Sequence, residues 1–121
     1  VLLLGGELQG SEGATLGRDT TQMLANYYAD FAFVGASALS ADPWLMDYSR
    51  EAAETRAEML AQARTPVLLA DHTKFNRTAP VRVANLDRVS HLIIDLKPDK
   101  AMTKGLEKLS AEILVAGKGK G

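Results

Sequence analysis

The chain has 121 residues, 46% of them hydrophobic and 24% charged, a composition ordinary for one globular domain with its own core. Its formal net charge is −1, which excludes the overall basic character typical of chains that bind a nucleic-acid backbone, so we expect no direct DNA contact. The absence of cysteine excludes disulfides and thiolate metal sites and favours a cytoplasmic protein. No apolar run approaches the roughly 20 residues that cross a bilayer.

The first apolar run, residues 1–4, predicts a short buried strand. Gly5 and Gly6 follow it and predict a turn, which serves either the chain reversal alone or the close approach of a ligand. Residues 10–17 read as a loop. Because the run has no polar lead-in and no initiator Met, we expect the chain to begin inside a longer domain.

Residues 18–29 predict an amphipathic helix, since apolar residues recur there at spacings of three and four, with Tyr27 and Tyr28 in the core or at its rim. Residues 30–37 predict a strand that ends in small residues. Gly35 at that end either allows close packing or leaves room for a ligand.

Ser49 is the predicted N-cap of a helix that reaches about residue 64, with charges such as Arg56 facing solvent. After it, residues 66–70 are continuously apolar, the pattern of a parallel strand covered on both faces. Asp71, His72, Thr73 and Lys74 follow at once, and ligands bind beyond the carboxyl ends of such strands.

The remaining segments continue the alternation of strands and helices. Residues 86–89 predict a single helical turn, 91–95 a strand, 99–109 a helix capped by Asp99, and 113–116 a last strand. The order predicts an α/β fold with an open, mostly parallel sheet and flanking helices. We expect one domain over residues 1–116 and a flexible tail over 117–121.

Searches for known catalytic and metal-binding patterns leave few candidates. The two histidines are isolated, and no Walker loop, nucleophile elbow or dinucleotide fingerprint is present. Lys74 suits a phosphate or carboxylate, Asp71 suits ligand hydroxyls, and Glu51 is a further candidate. On the opposing interpretation, Asp71 only caps a short turn through the Thr73 and Lys74 amides and Lys74 is solvated.

Four stretches carry a resemblance to a known family: residues 4–8 (Leu-Gly-Gly-Glu-Leu), 30–37, 47–54 and, most specifically, 69–75 (Leu-Ala-Asp-His-Thr-Lys-Phe). In order and spacing they resemble the C-terminal sensor domain of DeoR-type bacterial transcriptional repressors. The motif at 71–75 is similar to the glycerol-3-phosphate repressor subgroup, with Thr73 where Ser is more usual.

The resemblance implies a domain that binds a phosphorylated sugar, polyol or related metabolite and controls operator binding by a helix-turn-helix domain elsewhere in the protein. It implies a fold similar to ribose-5-phosphate isomerase and the coenzyme A transferases, no enzymatic activity, no cofactor and a homo-oligomer. Residue by residue, it implies that the effector site includes Gly5, Gly6, Gly35, Glu51, Asp71 and Lys74.

The sequence departs from the family pattern at its start. Neither the helix-turn-helix nor the first part of the sensor domain, with its Gly-Thr-Thr loop, is present. We therefore expect a partial domain, truncated at its N-terminus, whose phosphate pocket is incomplete.

Two rival interpretations remain open. One is a sugar-phosphate isomerase on the same fold, in which Glu51 or Asp71 abstracts a proton and Lys74 stabilises the enediolate. The other is an oligomerisation domain that packs residues 44–46 against a second subunit.

Overall fold

The structure is a computed structural model that describes residues 3–9 and 14–116. Its helices are α1 (Arg18–Leu24), α2 (Arg50–Ala61) and α3 (Lys100–Leu106). Its strands are β1 (Glu7–Gln9), β2 (Ala14–Leu16), β3 (Ala29–Gly35), β4 (Ala38–Leu39), β5 (Leu45–Asp47), β6 (Ala63–Ala70), β7 (Val81–Arg82), β8 (His91–Ile94) and β9 (Glu112–Val115). Two 3₁₀ turns cover His72–Lys74 and Leu86–Arg88.

The main sheet has four parallel strands in the order β3-β6-β8-β9. In register, Val34 lies beside Leu68, Leu68 beside Leu92, and Leu92 beside Ile113. The predicted α/β class with a mostly parallel sheet is confirmed. Because parallel strands end at the same edge, the chain leaves β3, β6 and β8 at one side of the molecule.

The core lies on one face of this sheet. There α2 and α3 cover the strands through Leu60, Met102 and Leu106, which are almost fully buried with Leu68 and Leu92. Burial of such side chains stabilises a fold by about 1.5–3 kcal/mol each.

The opposite face, which we call the open face, carries Phe31, Phe33, Leu69 and Leu114, together with the buried Val67. The two phenylalanine rings stack with centroids 6.1 Å apart, and both are about 60% exposed. The prediction that the strand at 66–70 is covered on both faces is therefore wrong for Leu69, which is 38% exposed, because α2 and α3 both pack on the other side.

Two small antiparallel sheets accompany the parallel one, and the sequence patterns did not indicate either. β1 and β2 form a hairpin, so residues 14–16 are a strand where a loop was predicted. β4, β5 and β7 form the other sheet. Strands of two or three residues are too short for an alternating pattern to show.

The predicted helix caps are confirmed at Ser49 and Asp99. Ser49 Oγ accepts from the Ala52 amide at 3.1 Å, and Asp99 Oδ1 accepts from the Met102 amide at 2.8 Å. Both helices end about three residues earlier than predicted. For α2 the reason is that β6 begins at Ala63, where the backbone pairs with β3.

The N-terminal part departs most from expectation. Leu3 and Leu4 form no strand and Leu3 is exposed, while Val1, Leu2 and the predicted tail at 117–121 lie outside the described residues. Because α1 ends at Leu24, Tyr27 and Tyr28 follow it in an exposed connection and are not core residues. Across the described ranges, no helix is long and apolar enough to cross a membrane.

Candidate functional site

A cleft of about 430 Å³ lies at the edge where β3, β6 and β8 end. Its charged members are two carboxylates and one amine, set among small and aliphatic side chains. The lining residues are Gly35, Ala36, Leu69, Ala70, Asp71, Lys74, Ile93, Ile94, Asp95 and Ala116. The sequence predictions for Gly35, Asp71 and Lys74 thus converge on one place.

The turn after β6 fixes Asp71 and Lys74 on one rim of the cleft. Asp71 Oδ1 accepts a hydrogen bond from the Thr73 amide at 2.8 Å and another from the Thr73 hydroxyl. These hydrogen bonds, helped by the charges of Lys74 and His72, lower the pKa of Asp71. The Lys74 amide donates to the Asp71 carbonyl at 3.0 Å, which closes the turn.

Asp71 therefore does cap the turn, as one of the two interpretations predicted, but only through the Thr73 amide. The Lys74 amide donates to the backbone carbonyl of Asp71 and not to its carboxylate. Capping does not remove Asp71 from the cleft, since its carboxylate group is exposed and lines it. Lys74 is half-buried, which limits the directions that its amine can take.

A second link crosses from this turn to the end of β8. His72 Nδ1 and Asp95 Oδ2 are 2.7 Å apart. The hydrogen bond with Asp95 raises the pKa of His72 and lowers the pKa of Asp95. The pair joins the turn after β6 to the carboxyl end of the neighbouring strand β8, so Asp95 lines the cleft next to that turn.

Gly35 lies at the end of β3, and its lack of a side chain is not needed for packing. A Cβ built on it would meet no heavy atom within 4 Å, so the structure favours the interpretation that Gly35 leaves room for a ligand over the one that it allows close packing. Its carbonyl accepts from Arg56 Nε at 2.6 Å, and Arg56 also pairs with the buried Asp47. The prediction that Arg56 faces solvent is wrong, because β5 brings Asp47 beneath α2 and the helix periodicity could not indicate that contact.

Gly5, Gly6 and Glu51 are not among the residues that line this cleft. Gly5 and Gly6 lie against α1, where the Thr20 hydroxyl donates to the Gly5 carbonyl, and Gly6 has a positive φ of 139°. Glu51 is exposed in the first turn of α2. Their place in an effector site stays a prediction.

Asp95 is the site residue that sequence reasoning missed. The signal was available, since Asp95 follows the apolar strand β8 just as Asp71 follows β6, and the two strands are parallel neighbours. Within residues 3–9 and 14–116, no group of three His, Asp or Glu side chains is arranged to hold a metal ion.

Comparison of the sequence with protein-family models shows which family the chain belongs to. The model of the DeoR C terminal sensor domain matches residues 1–96 of the 121. The chain belongs to that family. The cleft with Asp71 and Lys74 lies inside the matched range, apart from Ala116 on its rim.

Curated relatives are transcriptional repressors. The chain is 30% identical over 115 residues to the HTH-type transcriptional repressor CsqR of Escherichia coli. The alignment covers 95% of this chain and 44% of that protein. It is 30% identical over 118 residues to a glycerol-3-phosphate regulon repressor of Haemophilus influenzae, in an alignment that covers 98% of this chain and 46% of that repressor. For the HTH-type transcriptional repressor GlcR of Bacillus subtilis the identity is 28% over 121 residues, and the alignment covers 100% of this chain and 46% of that repressor. The sensor-domain chain thus spans less than half the length of these relatives.

Proposed function

We propose that this sensor domain binds a phosphorylated sugar or polyol in the cleft of Gly35, Asp71 and Lys74, and that binding controls the operator affinity of a helix-turn-helix domain in the full-length protein. The observation that carries the proposal is the convergence of a lysine, hydroxyl-accepting carboxylates and open space at the carboxyl ends of parallel strands. That edge is where open α/β sheets bind ligands.

The chemistry of the cleft supports a small ligand with two kinds of group. The Lys74 amine is a point charge for a phosphate, and the Asp71 carboxylate and the Oδ2 atom of Asp95 can accept from hydroxyl groups, whereas Oδ1 of Asp95 is buried. Leu69, Ile93 and Ile94 also line the cleft and offer aliphatic surface to the carbon chain of a ligand. A relative is named for the glycerol-3-phosphate regulon, which supports the ligand class proposed here.

The isomerase interpretation has less support. It needs a base at hydrogen-bond distance from the reacting carbon, and Glu51, one of its two candidates, does not line the cleft. The other, Asp71, has a lowered pKa, which makes its carboxylate a weaker base. The family and the named relatives are regulatory.

The test is ligand-induced stabilisation of the full-length protein. At a concentration of roughly 100 Kd, a ligand that binds only the folded state adds about 2.7 kcal/mol of stability. For a domain of this size that raises the thermal midpoint by about 10 °C. We expect such a shift with a phosphorylated sugar or polyol, measured by circular dichroism, and we expect Lys74→Ala to remove most of it.

The matched control is Lys100→Ala, which removes an exposed lysine of α3 outside the cleft. It should leave the shift unchanged. A full shift in Lys74→Ala would exclude the assigned role of Lys74, and no shift across a panel of sugar and polyol phosphates would exclude the proposed ligand class.

We also propose that the full-length protein is a homo-oligomer, since symmetric operators call for symmetric proteins. Of residues 44–46, Leu45 is fully buried within this chain, so it is not free to pack against a second subunit. Trp44 is 39% exposed and stacks against Arg82. Sedimentation of the full-length protein tests the assembly.

A further inference from the structure

The charges that line the cleft do not by themselves favour an anion. Asp71 and Asp95 each contribute −1 and Lys74 contributes +1, which leaves −1. A phosphorylated ligand would then meet net repulsion, and like charges within a few ångströms disfavour binding. The proposed function therefore needs a further positive charge close to the cleft.

His72 is placed to supply that charge. Its Nδ1 lies 2.7 Å from Asp95 Oδ2, although His72 is not itself a residue that lines the cleft. A protonated imidazole at this distance neutralises the charge of Asp95. The net charge of Asp71, Lys74, Asp95 and His72 together is then zero. The neutral imidazole can still hydrogen-bond but leaves the carboxylate charge in place.

The charged surroundings of His72 are simple. Asp95 after β8 and Asp71 in its own turn act on its ring, and both favour the protonated form; Lys74 acts on Asp71. On the β3 side of the cleft, Arg56 bonds the Gly35 carbonyl, but its charge is paired with Asp47. The hydrogen bond and charge of Asp95, with the charge of Asp71, raise the pKa of His72, although burial opposes them.

We propose that His72 is a specificity-determining residue of the sensor cleft, which accepts an anionic ligand when the imidazole on Asp95 is protonated and favours neutral polyols when it is not. This inference rests on the proposed function, because it concerns the same cleft. It makes anion binding and proton uptake one linked process, so the effector response depends on pH.

The linkage fixes the direction of the effect. An anion binds more tightly to the protonated form, so its dissociation constant is lowest at acidic pH and rises as the pH passes the pKa of His72 in the folded protein. For one linked proton, the logarithm of the dissociation constant rises by at most about one unit per pH unit. The bound anion in turn raises the pKa of His72 further.

The experiment uses sulfate as the probe, because its charge stays at −2 between pH 5.5 and 8.5, and glycerol as the neutral probe. Binding is followed in the protein by the NMR signal of the His72 ring, assigned by its loss in His72→Gln, and by backbone amide signals of the turn at 71–75. Ionic strength is held constant with sodium chloride, since screening alone changes exposed charge interactions.

In the wild-type protein we expect sulfate to bind about tenfold more weakly at pH 8.5 than at pH 5.5. A tenfold difference corresponds to a rise of about one unit in the pKa of His72 when sulfate binds. His72→Gln should bind sulfate weakly at every pH, and Asp95→Asn should bind it tightly at every pH, since it removes the charge that His72 offsets. Glycerol binding should not depend on pH.

The other histidine is the matched control. His91 lies at the start of β8, with Nε2 3.6 Å from Glu112, at the far end from the cleft. His91→Gln should keep the wild-type pH profile. A profile that is the same in wild type and His72→Gln, with sulfate still bound, would overturn this inference alone. Sulfate that fails to bind at any pH would overturn the anion site of the proposed function as well.

Discussion

Arg56 of α2 donates from Nε to the carbonyl oxygen of Gly35 at 2.6 Å, and so joins a helix to the end of the strand that opens into the cleft. The same guanidinium pairs with Asp47, whose side chain is only 5% exposed. One side chain therefore serves both the folding of β5 against α2 and the position of the cleft wall.

Arg56→Ala should destabilise the domain by on the order of 3 kcal/mol, because Asp47 would keep a buried charge without its partner. Arg56→Lys should recover part of the loss, since an amine keeps the charge but lacks the planar fork that reaches two acceptors. Urea unfolding followed by circular dichroism measures both. Arg50→Ala, at an exposed position of the same helix, should change stability by less than about 0.5 kcal/mol. Equal losses at positions 50 and 56 would contradict the role given to the pair.

Gly105→Ala should cost about 2 kcal/mol or more, because a Cβ there would lie 1.8 Å from the carbonyl oxygen of Ala41 and α3 would have to move away. In an exposed helix the same change would be stabilising. The control, Ala101→Gly, replaces an exposed alanine of α3 and should cost about 1 kcal/mol through helix propensity alone. A Gly105→Ala variant as stable as wild type would mean that α3 does not approach Ala41 so closely.

The His72 and Asp95 pair should make stability depend on pH at both ends. Folding raises the pKa of His72 through its hydrogen bond with Asp95, so this stabilisation is complete below the ordinary value of 6.5 and is lost as the pH rises through the folded value. Folding lowers the pKa of Asp95, so its contribution is present above the ordinary 3.8 and is lost as the pH falls through the folded value.

The measurement is the difference in free energy of unfolding between wild type and His72→Gln from pH 5 to 9. The difference should be largest near pH 5 to 6 and shrink towards pH 9. A difference that grows with pH would show that the ring is stabilised in its neutral form.

Patterns of apolar residues were sufficient to predict the parallel sheet and all four of its strands. Val67 and Leu68 are buried as their run indicates, and Asp71 and Lys74, which follow them, do line the cleft. The same reasoning located the N-caps, because Ser49 and Asp99 act through atoms within three residues of themselves.

What the sequence did not reveal depends on contacts between distant segments. Arg56 and Asp47 lie nine residues apart on different elements, and His72 and Asp95 lie 23 apart. In each case the periodicity of one element carries no information on what the other brings to it. Tyr27 and Tyr28 fit a helical stripe, yet they are exposed because α1 ends before them.

The open face has a practical consequence for the stability measurements. Stacked Phe31 and Phe33, with Leu69 beside them, offer a dye such as ANS an apolar surface in the native state. Bright dye fluorescence normally signals lost tertiary packing, and here it would accompany intact packing instead. Melting curves read by hydrophobic dyes should start from a high baseline, whereas far-ultraviolet circular dichroism follows the loss of helices and strands and does not depend on this surface.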